Sequence, residues 1–217
     1  MNIEAFVITN GRSTFKYALR SMEEQSEKIK ITVIRNMKWI DAVNECVKVC
    51  GNQYFVRVDD DMFLHPHYVS YIIRVLKRNK NVCMYSCRLW EDWQHKIAGT
   101  VKVYNTMLVE KMGGFRASKF GRIDKKFSAL ANKRKMLIVK DISIVGIHSC
   151  ATFKEQERYR KLWAKENAVA KFIRPPAYLK AQRKYSKTLD EQYALLDRLK
   201  KKNKRVGTRF YRFLRKV

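Results

Sequence analysis

The stretch Tyr54-Phe55-Val56-Arg57-Val58-Asp59-Asp60-Asp61-Met62-Phe63-Leu64-His65-Pro66 decides how the chain is read. Tyr54 to Val58 is a β-branched and aromatic run with the composition of a strand, and it drives straight into three consecutive carboxylates. Three like charges at a strand end repel one another unless solvent or a cation sits between them. Hard divalent cations such as Mg2+ and Mn2+ prefer oxygen ligands, and Mg2+ is held by one or two carboxylates together with substrate phosphates. In an extended segment Asp59 and Asp61 point one way and Asp60 the other. That spacing suits one carboxylate near a substrate and one on a metal. The plain alternative is a solvated acidic turn; the position of the run, at the end of a buried strand in a very basic chain, favours a metal site. Pro66 ends the acidic loop, and Tyr68 to Leu76 reads as the next helix.

Working back from this stretch, Ile3 to Thr9 is an apolar strand followed by the turn signal Asn10-Gly11-Arg12-Ser13. Phe15 to Gln25 places Phe15, Ala18, Leu19 and Met22 at helical spacing, with Ser13 or Thr14 available as a cap. Ile31 to Ile34 is a second strand, and Trp39 to Cys50 a second helix with Ile40, Val43, Val47 and Cys50 on one face. The first 66 residues thus alternate strand and helix, which predicts βαβ crossovers and a parallel sheet. Ligands in such sheets bind beyond the carboxyl ends of the strands, where both the Thr9–Arg12 loop and the Asp59–Asp61 loop fall. Working forward, Asn81 to Leu89 predicts a strand, Trp90 to His95 a polar-aromatic loop, and Val101 to Val109 a strand and a short helix. Gly113-Gly114-Phe115 is a break, Ile123 to Lys133 a helix, and Met136–Val139 and Ile142–Ile147 two strands ending at His148.

The chain has 217 residues, 46% of them hydrophobic, which is enough for a genuine core and excludes a disordered class. Five cysteines without a scaffold pattern point to a reducing, cytoplasmic compartment, with no spanning helix and no secretory signal expected. The formal charge of +27 speaks to partners rather than to fold: nucleic acid, an anionic membrane surface or phosphorylated substrates. Residues 154–217 hold 21 Lys+Arg against 6 Asp+Glu, so more than half the excess lies in under a third of the chain.

Taken together, Thr9-Asn10-Gly11-Arg12 after the first strand, Ala42 and Asn44 in the second helix, the Asp-x-Asp spacing of Asp59-Asp60-Asp61 with Pro66 beyond it, Gly113-Gly114-Phe115, Asp124 and Ile147-His148 resemble the pattern of the GT-A fold glycosyltransferases of family 2. The resemblance implies an α/β GT-A fold over residues 1–153, a mostly parallel central sheet flanked by helices, followed by a basic helical extension over 154–217. It implies transfer of a sugar from a nucleotide-sugar donor, UDP-linked by default, to a hydroxyl acceptor, with Mn2+ or Mg2+ as cofactor. By similarity Asp61 and His148 hold the metal, Asp124 is the general base of an inverting reaction, and Thr9, Asn10, Arg12, Asn36, Asp59 and Asp60 line the donor. Trp90, Trp93, Gly113 and Gly114 are candidate sugar or acceptor contacts. Two departures stand out: Arg35-Asn36 occupies the place where the family carries an acid for the nucleotide base, and Ile123 precedes Asp124 where a second carboxylate is common.

In the tail, Val206, Phe210, Phe213, Leu214 and Val217 fall on one helical face, with Arg205, Arg209, Arg212, Arg215 and Lys216 on the other. A basic amphipathic helix of this kind lies in a membrane interface or packs on the catalytic domain or a second subunit. The expectation is therefore an enzyme peripheral to the inner membrane face, with a glycan or lipid-linked acceptor and homo-oligomerisation as a further option. Two other classes compete. A nucleic-acid-binding protein would suit the charge but lacks a basic-aromatic recognition motif. A sugar nucleotidyltransferase would suit the acids but needs a Gly-rich phosphate loop, for which Asn10-Gly11-Arg12 is thin.

Overall fold

The computed structural model describes residues 2–79, 81–91, 96–116 and 123–148. The tail, Trp93 and the proposed boundary at 153/154 lie outside them.

Seven strands form one sheet in the order β2-β1-β3-β6-β5-β7-β4. They are β1 (Ile3–Thr9), β2 (Lys30–Arg35), β3 (Tyr54–Asp59), β4 (Met62–Leu64), β5 (Val82–Glu91), β6 (Lys96–Asn105) and β7 (Leu137–His148). The helices are α1 (Phe15–Glu23), α2 (Trp39–Val49), α3 (Tyr68–Arg78), α4 (Thr106–Lys111) and α5 (Ile123–Lys133). The alternation read at the N-terminus holds: β1 pairs in parallel with both β2 and β3. Beyond β3 the sheet is mixed. β6 runs antiparallel to β3 and to β5, β5 parallel to β7, and β7 antiparallel to β4. The change has a local cause, since only four residues separate β5 from β6, too few for a crossover helix.

All of β1 is buried, as befits a strand covered on both faces. Ala5, Val7, Tyr54, Val56 and Val58 join one core with Met22 of α1 and Tyr68, Ile72 and Leu76 of α3. Their neighbours Phe6, Ile8 and Phe55 join a second core with α2, Tyr104, Phe115 and Phe127. The period of two in the sequence thus sorts side chains between two layers.

Three expectations change. β4 appears where the sequence read only a loop, because its three buried residues pair with the end of β7, a partner far along the chain. Trp90 lies in β5 rather than in a loop, at a register shift after Leu89, opposite Ile97 in the ladder and packed against Ile144 and Ile147. The two strands read after Met136 are one. Between them the buried Asp141 carboxylate accepts hydrogen bonds from the Tyr71 and Tyr85 hydroxyls and from the Ser143 amide, and the strand continues through an irregularity.

Candidate active site

The carboxyl ends of β1 and β3 carry the acidic turn. β3 ends at Asp59, so the strand spacing stops there and Asp60–Asp61 forms a turn into β4. The expectation that Asp59 and Asp61 share a side is therefore corrected. Asp60 and Asp61 converge on Arg12, while Asp59 faces Arg57. Asp60 is a structural hub. Its Oδ2 accepts from the Thr9 hydroxyl at 2.7 Å and the Asn10 amide at 3.3 Å, and its Oδ1 lies 3.4 Å from Arg12 Nε. Burial raises its pKa, against the pull of Arg12 and the Thr9 hydroxyl. Thr9 Oγ1 in turn accepts the Gly11 amide at 2.9 Å, and Gly11 takes φ +84°, a conformation glycine reaches without strain. Asn36, also left-handed at φ 56°, donates its amide to the Thr9 carbonyl at 3.1 Å and so sits exposed beside the same loop.

Asp61 Oδ2 meets Arg12 Nη1, and Asp61 Oδ1 lies 3.1 Å from His148 Nε2. These two residues, far apart in sequence, are joined by the β4–β7 ladder, which sets Met62 opposite His148. Among the described residues no cluster of three or more His, Cys, Asp and Glu side chains forms a closed metal cage. The Asp61–His148 pair nevertheless suits an open site. Two ligands about 2.1 Å from an octahedral ion, in adjacent positions, stand about 3.0 Å apart, and an imidazole with a carboxylate is a donor set that Mn2+ accepts. The remaining positions of such an ion are the ones that phosphate oxygens and water fill.

Asp59 leads to a second charged group on the other side of the turn. Arg57, only 3% exposed, lies 3.5 Å from Asp59 and 3.0 Å from Asp124 Oδ1, with its guanidinium 4.5 Å from the centre of the Trp39 ring. Lys102 Nζ reaches Asp124 Oδ2 at 2.8 Å, and the Tyr104 hydroxyl donates to Oδ1 at 2.8 Å. Arg57 and Lys102 face each other directly in the β3–β6 ladder. Like charges opposed in this way are destabilising without a counter-charge, and Asp124 from the first turn of α5 supplies it. Burial alone would raise the Asp124 pKa, but Arg57 and Lys102 outweigh it and hold the carboxyl well below its usual range. Lys102 is shifted down by burial and by Arg57, despite Asp124.

Gly113 and Gly114 take φ +80° and +73°. The turn they make is held by Asn44 of α2, whose side chain accepts the Phe115 amide at 2.8 Å and donates to the Phe115 carbonyl at 3.0 Å. A Cβ at Gly114 would stand 2.7 Å from Asn44 Oδ1, so this position requires glycine twice over. The Trp90 indole nitrogen is buried and has no hydrogen-bond partner among the described residues.

The structure thus gathers Thr9, Asn10, Arg12, Asn36, Asp60, Asp61 and His148 into one group, and Asp59 and Asp124 into an adjoining one. Sequence reading missed Arg57, Lys102, Tyr104 and Trp39. Their signal was available: Arg57 in Val-Arg-Val and Lys102 in Val-Lys-Val-Tyr are charges at core-facing strand positions, which need a buried partner.

This arrangement agrees with comparison to known proteins. Residues 1–156 match the family described as glycosyl transferase family 2. The chain belongs to glycosyl transferase family 2. With that membership the expected enzyme class, a nucleotide-sugar glycosyltransferase, stands. No curated whole-protein sequence matches. Among solved structures, the chain resembles the mannosyltransferase PcManGT from Pyrobaculum calidifontis, in complex with GDP-Man and Mn2+, at 12% identity and TM-score 0.55 over 84% of this chain and 69% of that one. It also resembles S. aureus TarS 1-349 in complex with UDP-GlcNAc, at 11% identity and TM-score 0.56 over 80% and 68% of the two chains. A CMP:2-keto-3-deoxy-manno-octonic acid synthetase complexed with CTP shares the fold at 7% identity and TM-score 0.51, over 76% of this chain and all of that one. Fold alone therefore does not separate transferase from nucleotidyltransferase, and it is the family match that does so.

Proposed function

We propose that this family 2 enzyme transfers a sugar from a nucleoside-diphosphate donor to an acceptor hydroxyl with inversion, using Asp61 and His148 as the protein ligands of a divalent ion, Mn2+ or Mg2+. The observation that carries the reading is the meeting of Asp61 Oδ1 and His148 Nε2 at 3.1 Å beside a loop whose backbone is anchored on Asp60. When bound, the ion stabilises the charge that develops on the departing diphosphate. The chain's own residues supply the rest. Asn10 and Asn36 offer their side-chain amides to the nucleoside side of the donor from a loop that the Thr9 hydroxyl pins to Asp60, and Arg12 offers its guanidinium to the diphosphate. Asp124 takes the acceptor proton as the acceptor oxygen bonds to the anomeric carbon and the bond from that carbon to the diphosphate breaks. Arg57, Lys102 and Tyr104 fix the Asp124 carboxylate in place and keep it ionised while lowering its basicity, so it accepts the acceptor proton only as one of these contacts loosens.

The acceptor we favour is a glycan or lipid-linked hydroxyl at the cytoplasmic membrane face, with the basic extension at 154–217 resting on anionic lipid. The support is its charge and the apolar face from Val206 to Val217. Among the described residues no helix is long and apolar enough to cross a membrane. The deciding experiment is donor hydrolysis by the purified chain with Mn2+ across UDP- and GDP-sugars. Full activity in Asp61→Asn would overturn the metal assignment. Salt-titrated binding to anionic vesicles and to RNA separates the membrane reading from the nucleic-acid one.

A further inference from the structure

Asp60 and Asp61 are only 6% and 4% exposed, and buried carboxylates require a counter-charge. Arg12 provides one to both through a single guanidinium, with Nε towards Asp60 and Nη1 on Asp61. The fork suits this bridge, which a lysine ammonium would not span. Nor is Arg12 a wandering surface side chain. Its loop is tied to Asp60 through Thr9 and Asn10, its carbonyl accepts the Phe15 amide at 3.1 Å at the start of α1, and its side chain is 20% exposed. Tethering gives the guanidinium a high effective concentration at the carboxylates.

The two oxygens of Asp61 are divided, with Oδ1 facing His148 and Oδ2 facing Arg12. An ion seated by Oδ1 and His148 would therefore stand across one carboxylate from a guanidinium, and like charges that close repel. A diphosphate resolves the conflict, because its anionic oxygens serve both cations at once. Resting on the donor reading above, we propose that Arg12 is the resident counter-cation of Asp60 and Asp61 and yields Asp61 to the metal only when a nucleoside diphosphate arrives. Metal and nucleotide then bind synergistically. By linkage each tightens the other by the same factor, in the range of about 5–150-fold for couplings of this kind.

Calorimetric titration of Mn2+ into the full chain, with and without saturating UDP or GDP, tests this. Wild type should bind Mn2+ weakly alone and at least about fivefold more tightly with the matching nucleotide. In Arg12→Gln, Mn2+ affinity without nucleotide should rise by a comparable factor, and the gain on adding nucleotide should shrink towards none. Unchanged or weaker nucleotide-free Mn2+ binding in Arg12→Gln overturns the proposal. Should that variant fail to fold by its melting curve, Arg12→Met decides: it keeps the apolar stem and removes the cation, so nucleotide-free Mn2+ affinity must rise, and an unchanged value overturns the proposal. Asp61→Asn keeps the two readings apart. If it retains Mn2+ uptake, or if the wild type takes up no Mn2+ with either nucleotide, the metal reading itself falls and this inference with it. If Asp61→Asn loses uptake while Arg12→Gln matches wild type, only the role given to Arg12 falls.

Discussion

Replacing Asp124 by Asn would leave Arg57 and Lys102 facing each other in the β3–β6 ladder, with Asp59 their only remaining carboxylate partner among the described contacts. At separations of 3.0 and 2.8 Å, and an effective dielectric of about 20, each contact with Asp124 is worth roughly 6 kcal/mol before desolvation. Desolvation consumes much of that. Breaking one side of a buried pair nets about 3–5 kcal/mol, and the 31% exposure of the Asp124 side chain favours the lower end. A loss of about 3 kcal/mol lowers Tm by roughly 6–12 °C in a domain of this size. The pH dependence carries the signature. Asp124 is depressed in the fold, so its contribution is complete above the unfolded carboxylate value of about 3.9 and fades as pH falls below it. The Tm gap between wild type and Asp124→Asn should therefore be full at pH 7 and narrow below about pH 4. Adding Lys102→Met should recover part of the loss, because one stranded cation is removed. Thermal melts over this pH range, with the double-mutant cycle, measure all of it. A gap of under about 2 °C at pH 7, or strict additivity with Lys102→Met, would refute the cage.

Other outcomes follow from the same geometry. Asp61→Asn should abolish calorimetric Mn2+ uptake and lower turnover by at least about a hundredfold, with His148→Ala weakening uptake less severely. Gly146→Ala should cost about 1–3 kcal/mol in chemical denaturation and weaken Mn2+ binding together with it, because a Cβ there collides with the Phe63 carbonyl oxygen and stands 2.9 Å from Leu64 Cδ2, prising β4 from β7. Gly114→Ala should raise the acceptor KM and lower stability by about 1–3 kcal/mol, since it combines φ +73° with a 2.7 Å approach to Asn44. Thr9→Val should cost about 1–2 kcal/mol in denaturant melts and push the Asp60 carboxyl further up, since it removes a buried 2.7 Å hydrogen bond to that group.

Much of the fold was legible in the residues because the signals were local. The continuous apolar runs Ile3–Thr9 and Tyr54–Val58 and the helical spacing in Phe15–Met22 set out the alternating first half, and the helix read at Ile123–Lys133 has the observed bounds. The acidic turn was visible because three adjacent carboxylates directly after an apolar run must be held by cations or by water. What stayed hidden depends on partners distant in sequence. β4 is a strand only because β7 lies beside it, and the antiparallel ladders of β6 are set by tertiary pairing rather than by its own composition. Arg57 and Lys102 stand out as charges at core-facing strand positions, but nothing near either one in the chain points to Asp124 as the partner.

The ladder that sets Met62 opposite His148 has a consequence for how the protein comes into being. Chain emerging from the ribosome presents Asp61 early and His148 only after nearly all of the sheet has been made. Until β7 docks, the nascent protein holds an acidic turn without its imidazole, so completing the fold and assembling this pair are a single event. A chain cut short before that strand would contain the sequence of all five described helices and still lack the pair.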